Sequence, residues 1–189
     1  SGQASLHSVM AVTFTNKAAK EMRARLEAML PLNIRAMWLG TFHGLCHRFL
    51  RLHHKEVGLP ATFQILDSSD QLALVKRLLK VLNIPEEIIA PRALQGFINA
   101  QKEAGLRAAV LHANNPFEQR LIECYAEYDR LCRQEGVADF AELMLRSYEV
   151  LQSNEILRTH YQNRFNHILV DEFQDTNKLQ YDWLKLLAG

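Results

Sequence analysis

The chain has 189 residues, 48% of them hydrophobic and 23% charged, which is enough apolar material for a packed core and excludes a compositionally disordered polypeptide. Its apolar runs fall well short of the roughly 20 residues a membrane-spanning helix needs, and the opening Ser1-Gly-Gln-Ala-Ser-Leu6 has no secretion-signal pattern, so a soluble cytoplasmic protein is expected. The formal net charge of +1 hides an asymmetry: residues 1–80 carry 11 Lys/Arg against 5 Asp/Glu, and residues 81–189 carry 11 against 16.

Val9-Met-Ala-Val-Thr-Phe14 is short, apolar and β-branched, and reads as a buried strand of a parallel sheet. Asn16 then serves as N-cap of a helix in which Ala18, Ala19, Met22, Leu26 and Met29 recur at helical spacing. Lys17, Lys20, Arg23 and Arg25 lie among them, and Pro31 ends the element. Ala36-Met-Trp-Leu-Gly-Thr41 reads as a second strand, and Phe42 to Val57 as a helix stopped by Gly58 and Pro60. From Asp67 to Tyr161 the pattern predicts helices only. The first is opened by Asp67 or Ser68, carries Leu72, Val75, Leu78, Leu79 and Leu82, and is closed by Pro85; others cover 91–104, 116–135, 139–151 and 153–163. In the longest, Phe117, Leu121, Cys124, Tyr125, Tyr128, Leu131 and Cys132 form one apolar stripe, the signature of a core-facing helix. Strand character returns at His167-Ile-Leu-Val-Asp171, before a last amphipathic helix with Leu179, Trp183, Leu186 and Leu187. The order suggests one parallel-sheet domain interrupted by a helical insertion.

The residues with chemistry sit where strands end. In Ile168-Leu-Val-Asp171-Glu172 a hydrophobic strand delivers two adjacent carboxylates to the C-terminal edge of a parallel sheet, where open α/β folds place ligands. In phosphoryl-transfer sites of this kind one carboxylate helps to hold Mg²⁺ near the β and γ phosphates, and a second orients or deprotonates the attacking water. Four apolar residues followed by Asp-Glu also fit any buried strand ending in an acidic turn; the extension Phe173-Gln174-Asp175-Thr176-Asn177 is more specific. Phe14 likewise fits ordinary core, Thr15 and Asn16 fit helix caps, and Phe140 fits an amphipathic core position.

Cys46, Cys124 and Cys132 are odd in number and lack a C-x-x-C pair, which excludes a disulfide framework or zinc ribbon. His43 and His47 share a helix face beside Cys46. Gly44 stands where a zinc-protease pattern has Glu and no third ligand is evident, so no metal is expected there. His53 and His54 are read as surface residues.

Three segments in order resemble one family. Ala11-Val-Thr-Phe-Thr-Asn-Lys-Ala-Ala-Lys-Glu-Met22, Gly40-Thr-Phe-His-Gly44 and, more than 100 residues later, Asp171-Glu-Phe-Gln-Asp-Thr-Asn177 are similar to motifs Ia, Ib and Walker B of the superfamily 1 DNA helicases of the UvrD, Rep and PcrA type, most closely the bacterial DNA helicase II group. The resemblance covers the whole chain. It implies an α/β plus α fold: a partial RecA-like P-loop parallel sheet (1–40 and 166–189) interrupted by an all-helical subdomain (41–165). It further implies ATP and Mg²⁺ as cofactors, Asp171 as the metal-side carboxylate and Glu172 as the general base. Phe14, Thr15 and Asn16 are expected along single-stranded DNA, with Thr41 and His43 further along the same strand. The Asp139-Phe140 pair resembles another short helicase element, with Phe140 a candidate stacking residue. Gln174 and Asp175 are expected to couple the nucleotide and DNA sites. The implied partners are single-stranded DNA, single-strand/duplex junctions, and repair or replication proteins, at a bacterial nucleoid and without a membrane.

The chain departs from that family in having no Gly-x-x-x-x-Gly-Lys-Ser/Thr loop, and it ends at Gly189, ahead of later motifs. An internal piece of the first motor half is therefore expected, unable by itself to hydrolyse ATP or unwind DNA but with salt-sensitive DNA affinity through its basic front. Two other readings stay open. One is the motor portion of a RecB- or AddA-like helicase-nuclease, distinguished by a C-terminal nuclease domain in the parent protein. The other is a non-catalytic DNA- or protein-binding module, favoured by a parent without the phosphate loop.

Overall fold

A computed structural model describes residues 5–30 and 33–189. In chain order it contains β1 (Val9–Thr13), α1 (Asn16–Met29), β2 (Trp38–Thr41), α2 (Phe42–Leu52), β3 (Gln64–Leu66), α3 (Ser68–Val81), α4 (Pro91–Glu103), α5 (Pro116–Glu135), β4 (Val137–Asp139), α6 (Phe140–Ser153), α7 (Glu155–Arg164), β5 (His167–Val170) and α8 (Lys178–Ala188), with short 3-10 turns between them. The chain divides into two compact units, one of residues up to His53 together with Arg146–Gly189, the other His54–Leu145.

In the first unit β1 lies between β2 and β5, all parallel. The register sets Met10 beside Trp38 and Ile168, and Ala11 beside Leu39 and Leu169. Because successive side chains alternate, this register builds two distinct faces. On one, Ala11, Met37 and Leu39 pack with Ala19, Met22 and Leu26 of α1. On the other, Trp38 meets Tyr161 and Phe165 edge-on, each at 5.8 Å, and Phe42 meets Trp183 at 5.9 Å. Such edge-to-face aromatic pairs add roughly 0.5–1.5 kcal/mol beyond area burial. Helix α1 packs on β1 and β2, and Leu169 on that face of β5 is 59% exposed.

Several sequence expectations are corrected here. Thr15, not Asn16, caps α1: its extended backbone lets Oγ1 accept the Ala18 N–H at 3.1 Å, and Asn16 is the first helical residue. The expected stop at Pro31 lies outside the described residues. Ala36 belongs to a 3-10 turn begun by Ile34, so β2 starts only at Trp38. Helix α2 stops at Leu52 rather than running to Val57. His53 is its C-cap, with its N–H bonded to the Phe49 carbonyl and its ring packed against Phe49 and Tyr161 at 4.9 and 5.4 Å, and so is not a simple surface residue. His54 is half-buried, with Nδ1 at 3.1 Å from the Leu59 carbonyl.

The core of the second unit joins Leu74, Val75, Leu78 and Leu79 of α3, Leu94 and Ile98 of α4, and Leu121, Cys124, Tyr125, Tyr128 and Cys132 of α5. Phe117, expected in the same stripe, lies in the first turn of α5 and is 48% exposed. The expectation of helices only also fails, because β3 and β4 pair in parallel, with Gln64 beside Val137 and Leu66 beside Asp139. Gly136 makes that strand possible: it ends α5 in the left-handed conformation (φ 68°), and a Cβ there would meet Pro60 Cγ at 3.0 Å.

Beside this core lies a buried ionic cluster. Lys102 Nζ sits 2.9 Å from Asp139 and 3.2 Å from both Asp129 and Glu142, and Arg107 reaches Asp129 at 2.9 Å and Glu142 at 2.7 Å. The Tyr128 hydroxyl donates to Asp139 Oδ2 at 2.6 Å, while Asp139 Oδ1 accepts the Glu142 N–H at 2.7 Å and so caps α6. Asp139 is thus buried architecture, and the adjoining Phe140, at the first position of α6, is 46% exposed rather than core.

Candidate nucleotide and nucleic-acid edge

Parallel pairing carries three strand ends to the same edge of the first unit's sheet. β1 leads into Phe14, Thr15 and Asn16, β2 into Thr41 and His43, and β5 into Asp171 and Glu172. With about 4.8 Å between neighbouring strands, β5 and β2 lie only about two strand spacings apart across β1. The sequence-predicted residues of these segments are therefore brought together by topology. Phe140 belongs to the other unit, His54–Leu145.

At the β5 end, the Asp171 N–H donates to the Val12 carbonyl at 3.0 Å, extending the ladder one step past the strand and seating Asp171 beside the end of β1. Its carboxylate is exposed. Glu172 then adopts the left-handed conformation (φ 54°, ψ 46°), which L side chains occupy at a cost, and this turns the chain into the 3-10 segment Phe173–Asp175. The turn is closed by Asp175 N–H to the Glu172 carbonyl at 2.9 Å and by Thr176 N–H to the Phe173 carbonyl at 3.1 Å. Gln174 and Asp175 are exposed on it. Immediately after, Asn177 and Gln180 form a capping box that starts α8.

The donor set suits Mg²⁺, a hard cation that binds proteins through one or two carboxylates and keeps water and phosphate oxygens for the rest. Asp171 and Glu172 supply such oxygens at an open strand end. Among the described residues no group of three or more His, Cys, Asp or Glu is placed as a closed metal cage. Around His43 and His47 the chemistry disfavours zinc. His47 Nε2 accepts from Arg51 Nε at 3.0 Å, and Cys46 is fully buried, which pushes its thiol up to about 12 and keeps it protonated.

At the other two strand ends the polar groups have local duties that leave capacity for a ligand. Thr15 Oγ1 accepts from Ala18 N–H, and Thr41 Oγ1 accepts from Gly44 N–H at 3.0 Å. A hydroxyl has two lone pairs and one O–H, so each threonine retains a donor. The buried Thr13 hydroxyl donates to the Thr15 carbonyl at 3.3 Å, stiffening the exit from β1. The half-buried Phe14 ring rests on Phe42 at 5.2 Å. His43 reaches the surface, yet the protein around it desolvates the imidazole and lowers its pKa, favouring the neutral ring. The succession of strand and helix was visible in the sequence; the Thr41 cap, the left-handed Glu172 and the buried state of Asp139 had not been read from it.

The family model for the UvrD/REP helicase N-terminal domain matches residues 1–189. The chain is 50% identical over 184 residues to DNA helicase II of Escherichia coli (strain K12), covering 97% of this chain and 26% of that protein. It is 37% identical over 186 residues to the ATP-dependent DNA helicase PcrA of Staphylococcus epidermidis (strain RP62A), covering 97% and 25%. It is 38% identical over 192 residues to the probable DNA helicase II homolog of Rickettsia conorii, covering 98% and 29%. The chain thus spans about a quarter of the length of these relatives. With its whole length matched by the family model and its three motif segments meeting at one sheet edge, the chain belongs to the UvrD/REP helicase N-terminal domain family.

Proposed function

We propose that this chain is part of the first motor half of an ATP-dependent DNA helicase that moves 3′ to 5′ on single-stranded DNA and separates duplex in repair or replication restart, at the bacterial nucleoid. The observation that supports this best is the convergence of three strand ends, one acidic and two aromatic-polar, on one edge of a parallel sheet. In this reading Asp171 holds Mg²⁺, which when bound offsets charge on the β and γ phosphates of ATP. Glu172, held in the left-handed backbone conformation, accepts a proton from the attacking water. Phe14 stacks on a base, Thr15, Asn16, Thr41 and His43 hold the strand's backbone, and Phe140 is a further stacking residue. Stacking is worth about 1–3 kcal/mol per base and tolerates any sequence, which suits a motor that traverses all DNA. Gln174 and Asp175, on the turn after the two carboxylates, couple nucleotide state to the strand.

The test is made in the longer protein. Glu172→Gln is expected to lower DNA-stimulated ATP turnover by about 10²–10⁴-fold, the range lost with a general base, while leaving single-strand affinity within twofold. Turnover within about tenfold of the parent protein would overturn the assignment of Glu172. The 189-residue chain, which lacks the phosphate loop, is expected to show no ATP turnover of its own.

A further inference from the structure

Beside the strand-end edge, α1, β2 and α2 enclose a cleft of about 430 Å³ within the first unit. Its lining includes Lys20, Arg23, Arg35 and Arg48, contains no carboxylate among the described residues, and reaches Asn16 and Thr41 of the candidate strand-binding edge. Two of the cations are built in. Arg23 donates to the Leu39 carbonyl at 3.1 Å, and Arg48 donates to the Met37 carbonyl at 3.2 Å while lying 4.2 Å over the Trp38 ring. Bonding the Met37 and Leu39 carbonyls, just before and within β2, is a structural duty that uses one donor of each guanidinium. Each has five, and the charge itself stays uncompensated. Among the described residues none of these four side chains ion-pairs with a carboxylate. Burial first, then the charges of Arg164 and Arg23, pull the Arg48 pKa below its ordinary value.

An edge-covering role alone does not call for four cations around one opening, since Lys20 and Arg35 make no such bond among the described residues. Four such cations next to the start of α2, whose dipole is positive at that end, form a seat for an anion. Among the described residues no aromatic ring lines the cleft, so it has nothing on which to stack a base. Its continuity with Asn16 and Thr41 points to a polymer that already lies along the edge.

We infer that this cleft is a backbone subsite for single-stranded nucleic acid, taking phosphodiester groups one or more nucleotides beyond the strand ends. The inference rests on the edge being a nucleic-acid site, and the experiment separates the two. A labelled oligothymidylate is titrated by fluorescence anisotropy across a salt series with the 189-residue chain, with a Lys20→Ala/Arg35→Ala variant, and with Phe14→Ala. Lys20 and Arg35 are exposed, so the pair is expected to leave the circular dichroism spectrum and thermal midpoint unchanged. The double variant is expected to bind roughly tenfold more weakly at low salt, with the slope of log K against log salt smaller by about 0.7 for each phosphate that is no longer neutralised. In parallel, the amide resonances of Gly40 and Gly44 are expected to shift with oligothymidylate.

A double variant equal to the parent in affinity and slope, alongside a weakened Phe14→Ala, would overturn the cleft and leave the edge standing. The reverse pattern would support the cleft and remove the assignment of Phe14. Shifts of Gly40 and Gly44 with inorganic phosphate but not with oligothymidylate would assign the cleft to a free anion instead, and absence of any binding by the parent chain would overturn both.

Discussion

Replacing Lys102 with Met tests the ionic cluster of the second unit most directly. The lysine is 1% exposed and faces three carboxylates, Asp129, Asp139 and Glu142, at 2.9–3.2 Å, with Arg107 the other cation. Burial lowers its pKa, but the charges of Glu142, Asp139 and Asp129 outweigh burial and raise it above the ordinary lysine value, so the ammonium persists at neutral pH. Methionine fills similar volume yet leaves three buried carboxylates against one guanidinium. Removing one partner of a buried pair costs about 3–5 kcal/mol, a large part of the roughly 5–15 kcal/mol that stabilises a typical domain. The assay is urea unfolding followed by far-ultraviolet circular dichroism, to which α3, α4 and α5 contribute; Trp38 and Trp183 lie in the other unit, so tryptophan fluorescence follows that unit separately. Adding Asp139→Asn to Lys102→Met is expected to cost less than the sum of the single changes by at least about 1 kcal/mol, because the pair is coupled. A loss below about 1 kcal/mol for Lys102→Met, or simple additivity, would refute the view that Lys102 neutralises this site.

Gly136→Ala is expected to destabilise the second unit by about 1–2 kcal/mol, since alanine must hold the left-handed conformation and its Cβ would press on Pro60 at 3.0 Å; an unchanged thermal midpoint would contradict this. At Glu172 the same conformation acts in the opposite direction. Glu172→Gly is expected to be neutral or to stabilise the chain by up to about 1 kcal/mol, as relief of strain exceeds the added freedom of the unfolded state, while the longer protein loses ATP turnover as Glu172→Gln does. A thermal midpoint lowered by the glycine would show that the carboxylate itself stabilises the turn. The third concerns pH. Burial pushes the Cys46 and Cys132 thiols from 9.0 up to about 12, so the unfolded chain loses these protons first. Stability is therefore unaffected by them below pH 9 and falls from pH 9 towards 12 by up to about 1.4 kcal/mol per pH unit for each thiol. The raised Tyr128 pKa, caused first by burial and then by Asp139, acts in the same direction at higher pH. Urea midpoints measured on both sides of pH 9 check the sign, and Cys46→Ala is expected to flatten the slope.

How much was legible in the sequence depended on how far each pattern reaches along the chain. Helices α3, α4 and α5 each show their buried stripe within a few turns, because helical spacing repeats locally. The edge that gathers Phe14, Thr41 and Asp171 was legible for a related reason: each strand hands over to a residue that turns the chain, and parallel pairing does the rest. β3 and β4 were not, since three residues cannot display alternation and their partners lie about 70 positions apart. The cationic cleft was hidden too, because its four basic residues come from different segments, each of which alone looks like a solvated surface. Asp139 shows what this means for interpreting variants. Next to Phe140 it reads as part of a nucleic-acid motif, yet its carboxylate is buried, held by Lys102 from 37 residues upstream, and engaged in capping α6. The cluster therefore fixes the backbone from which Phe140 projects. Lost DNA affinity in an Asp139 variant would report a displaced start of α6, whereas Phe140→Ala, which leaves the cap intact, isolates the contribution of the ring itself.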